Sequence, residues 1–229
     1  MTFDTLRSAR KARGWTQTQA ARRLGLSQAY LAMLETGTRP VTPALARRAA
    51  EVYELPPTEV PPSDVYRYRA NACHDLAVDL AALGYPGLAY LRPAHWKAKN
   101  PAQVLLDALG EADLEARLVE ALPWLALRFA PFDDRWLVRQ AKLRDLQNRL
   151  GFIVELARRL AERAHDEDKA QALRGLEGRL ERSRLVLEDT LCKAVREPQR
   201  RWLSERRSES ARHWNLLTDW TVDALHYAA

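Results

Sequence analysis

Apolar residues recur three and four positions apart along almost the whole chain, and apolar–polar alternation over strand lengths is nearly absent. That spacing turns one face of a helix inward, so the pattern predicts an all-α protein. A first helix is expected from Leu6 to Arg13, stopped by Gly14. Thr16-Gln17-Thr18-Gln19 fits a capping box, in which the hydroxyl and the Gln19 amide satisfy each other's backbone N–H groups. A short helix then runs from Gln17 to Leu24, with Ala20, Ala21 and Leu24 inward, and Gly25 supplies a left-handed turn residue. Ser27 caps a third helix, Gln28 to Glu35, which Gly37 ends. Thr42-Pro43 opens a fourth that reaches about Tyr53.

The later pattern is longer in period. Asp64 to Leu83 reads as a helix, and Gly84 to Pro93 as a loop rich in aromatic and breaker residues. Asn100-Pro101 restarts a helix, and another begins at Ala112, is interrupted at Pro123 and continues to Phe129. The longest expected helix spans Asp134 to about Ala164, where Leu143, Leu146, Leu150, Ile153, Ala157, Leu160 and Ala164 form a heptad seam. A polar break at His165–Asp168 leads to a second long helix, with Leu173, Leu176, Leu180, Leu187 and Leu191 on its seam. The two predict a long antiparallel helical hairpin. Ser208 to Tyr227 reads as a final helix.

Four prolines in Pro56–Pro62 divide the chain, because each lacks an N–H and clashes with the preceding turn. Three parts are expected: a domain over residues 1–55, a Pro-rich linker over 56–63 and a helical domain over 64–229. Charge separates the parts as well. Residues 1–63 carry 9 Lys/Arg against 5 Asp/Glu, hence +4 of the chain's +6, while the longer remainder carries only +2. The total permits a nucleic-acid partner without requiring one; its concentration at the N-terminus sharpens the case. The apolar share, 47%, is too high for a disordered chain. The longest apolar runs, such as Leu118–Leu127, are too short for a bilayer span of about 20 residues. With no signal-peptide layout at Met1-Thr2-Phe3-Asp4 and only two cysteines, Cys73 and Cys192, a cytoplasmic protein with no membrane partner is expected.

Candidate chemistry is sparse. The five histidines, at 74, 95, 165, 213 and 226, are widely spread. Only Cys73-His74 brings two metal-binding side chains close, and adjacent residues on a helix point to different faces. No Walker loop, G-x-S-x-G or catalytic dyad occurs at a diagnostic spacing. The expectation is no catalytic residue, no metal and no cofactor, hence no enzyme. Two basic stretches, Arg139–Arg149 and Arg196–Arg207, read first as solvated helix faces; either could instead meet phosphate, a small anion or an acidic partner.

Two short helices joined by a tight Gly-containing turn are the signature of a helix-turn-helix. The stretch from Leu6 and Arg10 through Gly14, Thr16-Gln17, Ala20-Ala21, Leu24-Gly25, Ser27, Tyr30-Leu31, Leu34-Glu35, Gly37 and Arg39 resembles the Cro/phage-repressor (XRE) family. The resemblance covers about residues 4–60 and implies a lambda-repressor-like head on double-stranded DNA. It places the helix from Gln28 in the major groove, with its first residues on base edges. Gln28 would pair with adenine, Ala29 would meet a thymine methyl and Tyr30 would reach a phosphate or base. Met33 stands where relatives often carry a polar or basic residue. Gln17, Arg39 and Thr42 would touch phosphate, fixing register without reading sequence. Glu35 would pair with Arg10 as a structural ion pair. The resemblance further implies a transcriptional regulator, an autorepressor bound to a palindromic operator as a homodimer. Two alternatives stand beside it: an antitoxin whose residues 64–229 bind a toxin or other protein, and a small-molecule-responsive regulator whose Tyr85–Pro93 loop and Trp-rich helices line a pocket.

Overall fold

The computed structural model describes residues 1–62, 72–92 and 99–225, and the fold is all-α. The chain divides into two compact units, Met1–Ser63 and Asp64–Ala229.

The first unit holds four helices: α1 (Phe3–Ala12), α2 (Gln17–Leu24), α3 (Gln28–Glu35) and α4 (Pro43–Val52). Thr2, Thr16, Ser27 and Thr42 cap their N-termini by accepting backbone N–H bonds. Leu6, Ala20, Ala21, Leu24, Leu31, Leu34, Ala49 and Tyr53 meet in one core. Each helix contributes only two or three buried residues, so the core is small. Pro57–Glu59 forms a 3-10 turn within the proline-rich segment.

The second unit contains α5 (Ala72–Ala82), α6 (Pro101–Leu109), α7 (Ala116–Phe129), α8 (Asp134–Lys142), α9 (Gln147–Arg163), α10 (Glu167–Glu181), α11 (Glu197–Arg206) and α12 (Glu209–His213). The expected helix from Asp64 is described only from Ala72, and the part of the Gly84–Pro93 loop that is described winds into a 3-10 turn, Pro86–Leu91. The helix expected from Ala112 begins at Ala116 and is not interrupted: it runs through Pro123, giving up one backbone bond while burying the ring in the core. α9 and α10 fold back on each other as the hairpin, joined through His165 and tied by Arg158 to Glu177 at 2.5 Å. α7 packs across α9.

Three expectations about long elements are corrected. The helix expected from Asp134 to Ala164 is two helices. Asp145 adopts φ +55° and the Leu146 N–H reaches back to the Ala141 carbonyl, a left-handed stop that needs no glycine. Leu143 therefore leaves the seam and is 73% exposed. The second long helix ends at Glu181, so Leu187 lies in a loop while Leu191 is buried by other contacts. The final helix stops at His213; Leu216-Leu217 pairs instead as a two-residue parallel strand, β2, with Asp189-Thr190, β1. Residues 226–229 lie outside the described part.

Buried polar side chains hold these irregular parts. Arg149 grips Asp189 with two nitrogens, at 2.6 and 2.9 Å, and also donates to the Leu109 carbonyl. Glu155, buried in α9, accepts from Ser210 Oγ and Trp214 Nε1 and pairs with Arg159. Trp214 lies on Gly151, where a Cβ would stand 2.2 Å from its ring. Of the basic stretch Arg139–Arg149, Arg144 and Arg149 are thus spent on Asp107 and Asp189 within the fold. In the second stretch, Arg200 and Arg207 hold Glu188.

Candidate nucleic-acid interface

The first unit presents the N-terminal end of α3 to solvent because of what surrounds it. The capping box at α2 is complete: the Thr16 hydroxyl accepts the Gln19 N–H, and the Gln19 side chain accepts the Thr16 N–H. Gly25 then turns the chain at φ +64°, and a Cβ there would lie 2.7 Å from the Arg48 guanidinium. The positive φ is what favours glycine here, since the Arg48 guanidinium is the mobile end of a long side chain and can give way. Leu31 and Leu34 face the core, which leaves Gln28, Ala29 and Met33 exposed on the opposite side. Tyr30 is only half exposed and packs against the core.

Beneath this surface lies a polar chain. Arg10 donates to both oxygens of Glu35, at 2.6 and 2.9 Å, and to the Trp15 carbonyl at 2.8 Å. Glu35 also accepts from Gln17 Nε2 at 3.0 Å, and Gln17 Oε1 accepts from Gln28 Nε2 at 2.9 Å. Burial pushes the Glu35 carboxyl up, but the bonds from Arg10 and Gln17 outweigh it and hold the group below its usual range. Burial pushes the nearby Tyr53 hydroxyl up to about 12. One continuous run of bonds therefore links helices α1, α2 and both ends of α3.

The exposed end of that run has free valence. Gln28 Nε2 carries two hydrogens and spends one on Gln17; its second hydrogen and Oε1 remain. That acceptor–donor pair is what the adenine N6/N7 edge requires. Thr42 uses its hydroxyl oxygen as acceptor to cap α4, leaving the O–H to donate. Arg39 is exposed past the end of α3. The link from Glu35 through Gln17 to Gln28 was not legible from spacing. Its only sequence signal is three amide or acid side chains at the ends of adjacent short helices. Nor did spacing show Arg23 lying over the Trp15 ring at 4.2 Å.

Residues 4–62 match the family model of a helix-turn-helix domain. Comparison with curated proteins finds no match to the chain, and comparison with solved structures finds none either. The first unit is thus a helix-turn-helix domain, and it marks the chain as a DNA-binding regulator. In the second unit no helix among the described residues is long and apolar enough to cross a membrane.

Proposed function

We propose that the chain is a sequence-specific transcriptional repressor of the Cro/phage-repressor type. It acts in the cytoplasm by occupying operator DNA, as a dimer on a palindromic site and without catalysis. The observation that carries this reading is Gln28, an exposed amide at the start of α3, orientated from behind by Gln17 and Glu35. A glutamine free in solution loses rotamer entropy on binding; one already held loses less. In this reading Ala29 meets a thymine methyl beside the adenine that Gln28 reads, and Met33 adds an apolar contact further along the groove. Arg39, Thr42 and the N-terminus of α2 fix the register on phosphate. Gln17 acts chiefly by positioning Gln28. Such a head reads few base pairs, so two heads about 34 Å apart are needed for a specific site, and the second unit brings them together.

The test is selection of bound sequences from a random DNA pool by the full chain. An enriched palindrome is expected. Gln28→Ala should lower preference for one adenine per half-site by about 1–3 kcal/mol while leaving non-specific binding intact. A pool that shows no enrichment, or an enriched motif unchanged by Gln28→Ala, refutes the reading.

A further inference from the structure

The hydrogen bonds beneath the recognition surface have a direction. Arg10 can only donate, and it turns its Nε and Nη2 hydrogens on the Glu35 carboxylate at 2.6 and 2.9 Å. Glu35 is buried and, ionised, can only accept. Any further side chain that bonds to it must therefore present a hydrogen. Gln17 does so through Nε2, at 3.0 Å from Glu35 Oε2.

An amide has one accepting end and one donating end. With Nε2 on Glu35, Gln17 turns Oε1 to Gln28, and Gln28 answers with Nε2 at 2.9 Å. Turning the Gln17 amide over would set its oxygen against the Glu35 carboxylate. Turning the Gln28 amide over would set two carbonyl oxygens against each other where a 2.9 Å bond now stands. Neither contact holds a proton, so each reversal exchanges a hydrogen bond for repulsion between acceptors. A direction set by an ion pair inside the head thus passes through two amides to an exposed side chain.

That direction decides what Gln28 has left for a ligand: Oε1 and one Nε2 hydrogen, an acceptor beside a donor. Adenine offers the complement, the N6 amino donor beside the N7 acceptor. Guanine offers two acceptors, O6 and N7, and would set O6 against Gln28 Oε1. A glutamine turned the other way, with Oε1 inward, would present both Nε2 hydrogens and suit guanine instead.

We propose that Glu35, acting through Gln17, is a positioning residue for base choice: its fixed negative charge holds Gln28 with the oxygen outward and so selects adenine over guanine at the base Gln28 reads. This role rests on the reading of α3 as the recognition helix and adds to it what sets the base. The test is selection from a random DNA pool by variants of the full chain. Gln17→Lys keeps a donor for Glu35 and leaves the Arg10–Glu35 pair in place, but a lysine has no acceptor. Gln28 must then turn Oε1 inward. The one adenine per half-site that Gln28→Ala identifies should become guanine, a change of about tenfold or more in relative affinity at that base pair and none at the others. The added charge strengthens binding to all sequences alike and leaves preference untouched. Arg10→Met/Glu35→Leu removes the origin of the direction and keeps both glutamines, so adenine and guanine should be selected alike; should that variant fail to fold, Gln17→Lys alone decides. A Gln17→Lys chain that still selects adenine overturns the proposal. So does one that loses adenine without gaining guanine, which would make Gln17 a prop with no say in the base. A wild-type chain that enriches no motif refutes the repressor reading and this role with it. A motif that responds to Gln28→Ala but not to Gln17→Lys refutes this role alone.

Discussion

Arg10→Met would remove one member of the ion pair under the recognition surface. The side chains of Arg10 and Glu35 are 12% and 2% exposed, so solvent screens the pair little. Removing one partner of such a pair costs about 3–5 kcal/mol, mostly because the other charge is left buried and uncompensated. A unit of about 60 residues holds only about 3–9 kcal/mol, at about 0.05–0.15 kcal/mol per residue. The substitution should therefore consume most of the first unit's stability and leave the separate core of the second unit intact. Hydrogen exchange resolved by peptide reads this directly. Amides in α1–α4 should lose protection by about a hundredfold or more, since each 1.4 kcal/mol is about tenfold, while those in α9 and α10 should not change. The double variant Arg10→Met/Glu35→Leu should regain much of the loss, because no buried charge is stranded. The pH dependence follows from Glu35, whose carboxyl is held below its usual range in the folded chain. That contribution is present above the unfolded carboxyl value of about 4.3 and is lost as pH falls through the lower folded value. Wild-type and Arg10→Met heads should thus converge in stability on acidification. Wild-type-like exchange in the Arg10→Met chain at neutral pH would refute the reasoning.

Three further outcomes test the second unit. Gly151→Ala should destabilise it by several kcal/mol, since the new Cβ would meet the buried Trp214 ring at 2.2 Å, whereas Gly178→Ala in α10 meets nothing within 4 Å and should stabilise by about 1 kcal/mol; opposite shifts in melting temperature check the pair. Glu155→Ala strands the buried Ser210 hydroxyl and Trp214 N–H at once, and near-ultraviolet circular dichroism should show loss of the ordered Trp214 signal. Burial pushes the Cys192 thiol up to about 12, so iodoacetamide at mildly alkaline pH should label the peptide holding Cys192 only after unfolding; rapid labelling of the native chain would contradict the packing described.

How far the fold could be read from sequence depended on which residue ends each helix. In the first unit, glycine marks three stops: Gly14, Gly25 and Gly37 all have positive φ. Glycine is the residue a left-handed stop favours, so the helix boundaries there were visible in spacing alone. The same geometry recurs at Asp145, His165 and Asn215, with φ between +53° and +56°. At His165 a polar run also marked the turn. At Asp145 nothing did, and the leucines on either side kept the helical period, so two helices read as one. The break at Asp145 is also what leaves Leu143 exposed.

The recognition surface was legible for a related reason. Base-reading positions follow from where α3 begins, and the cap at Ser27 fixes that locally. What prepares Gln28 is not local: Glu35, Gln17 and Gln28 come from the two ends of α3 and the start of α2, and only the folded turn at Gly25 brings them into line. The second unit is the extreme case. Asn148, Arg149 and Glu155 lie within two turns of α9, and a periodic reading assigns two of them to a solvated face. They are instead the clamps for residues 185, 189 and 214, nearly 40 or more positions away. A polar side chain on an apolar helix carries no sequence mark of its distant partner. The tail after Glu181 is built on such pairs, with few long apolar stripes of its own, and so its sequence suggested a helix where the chain forms loops and a two-residue ladder.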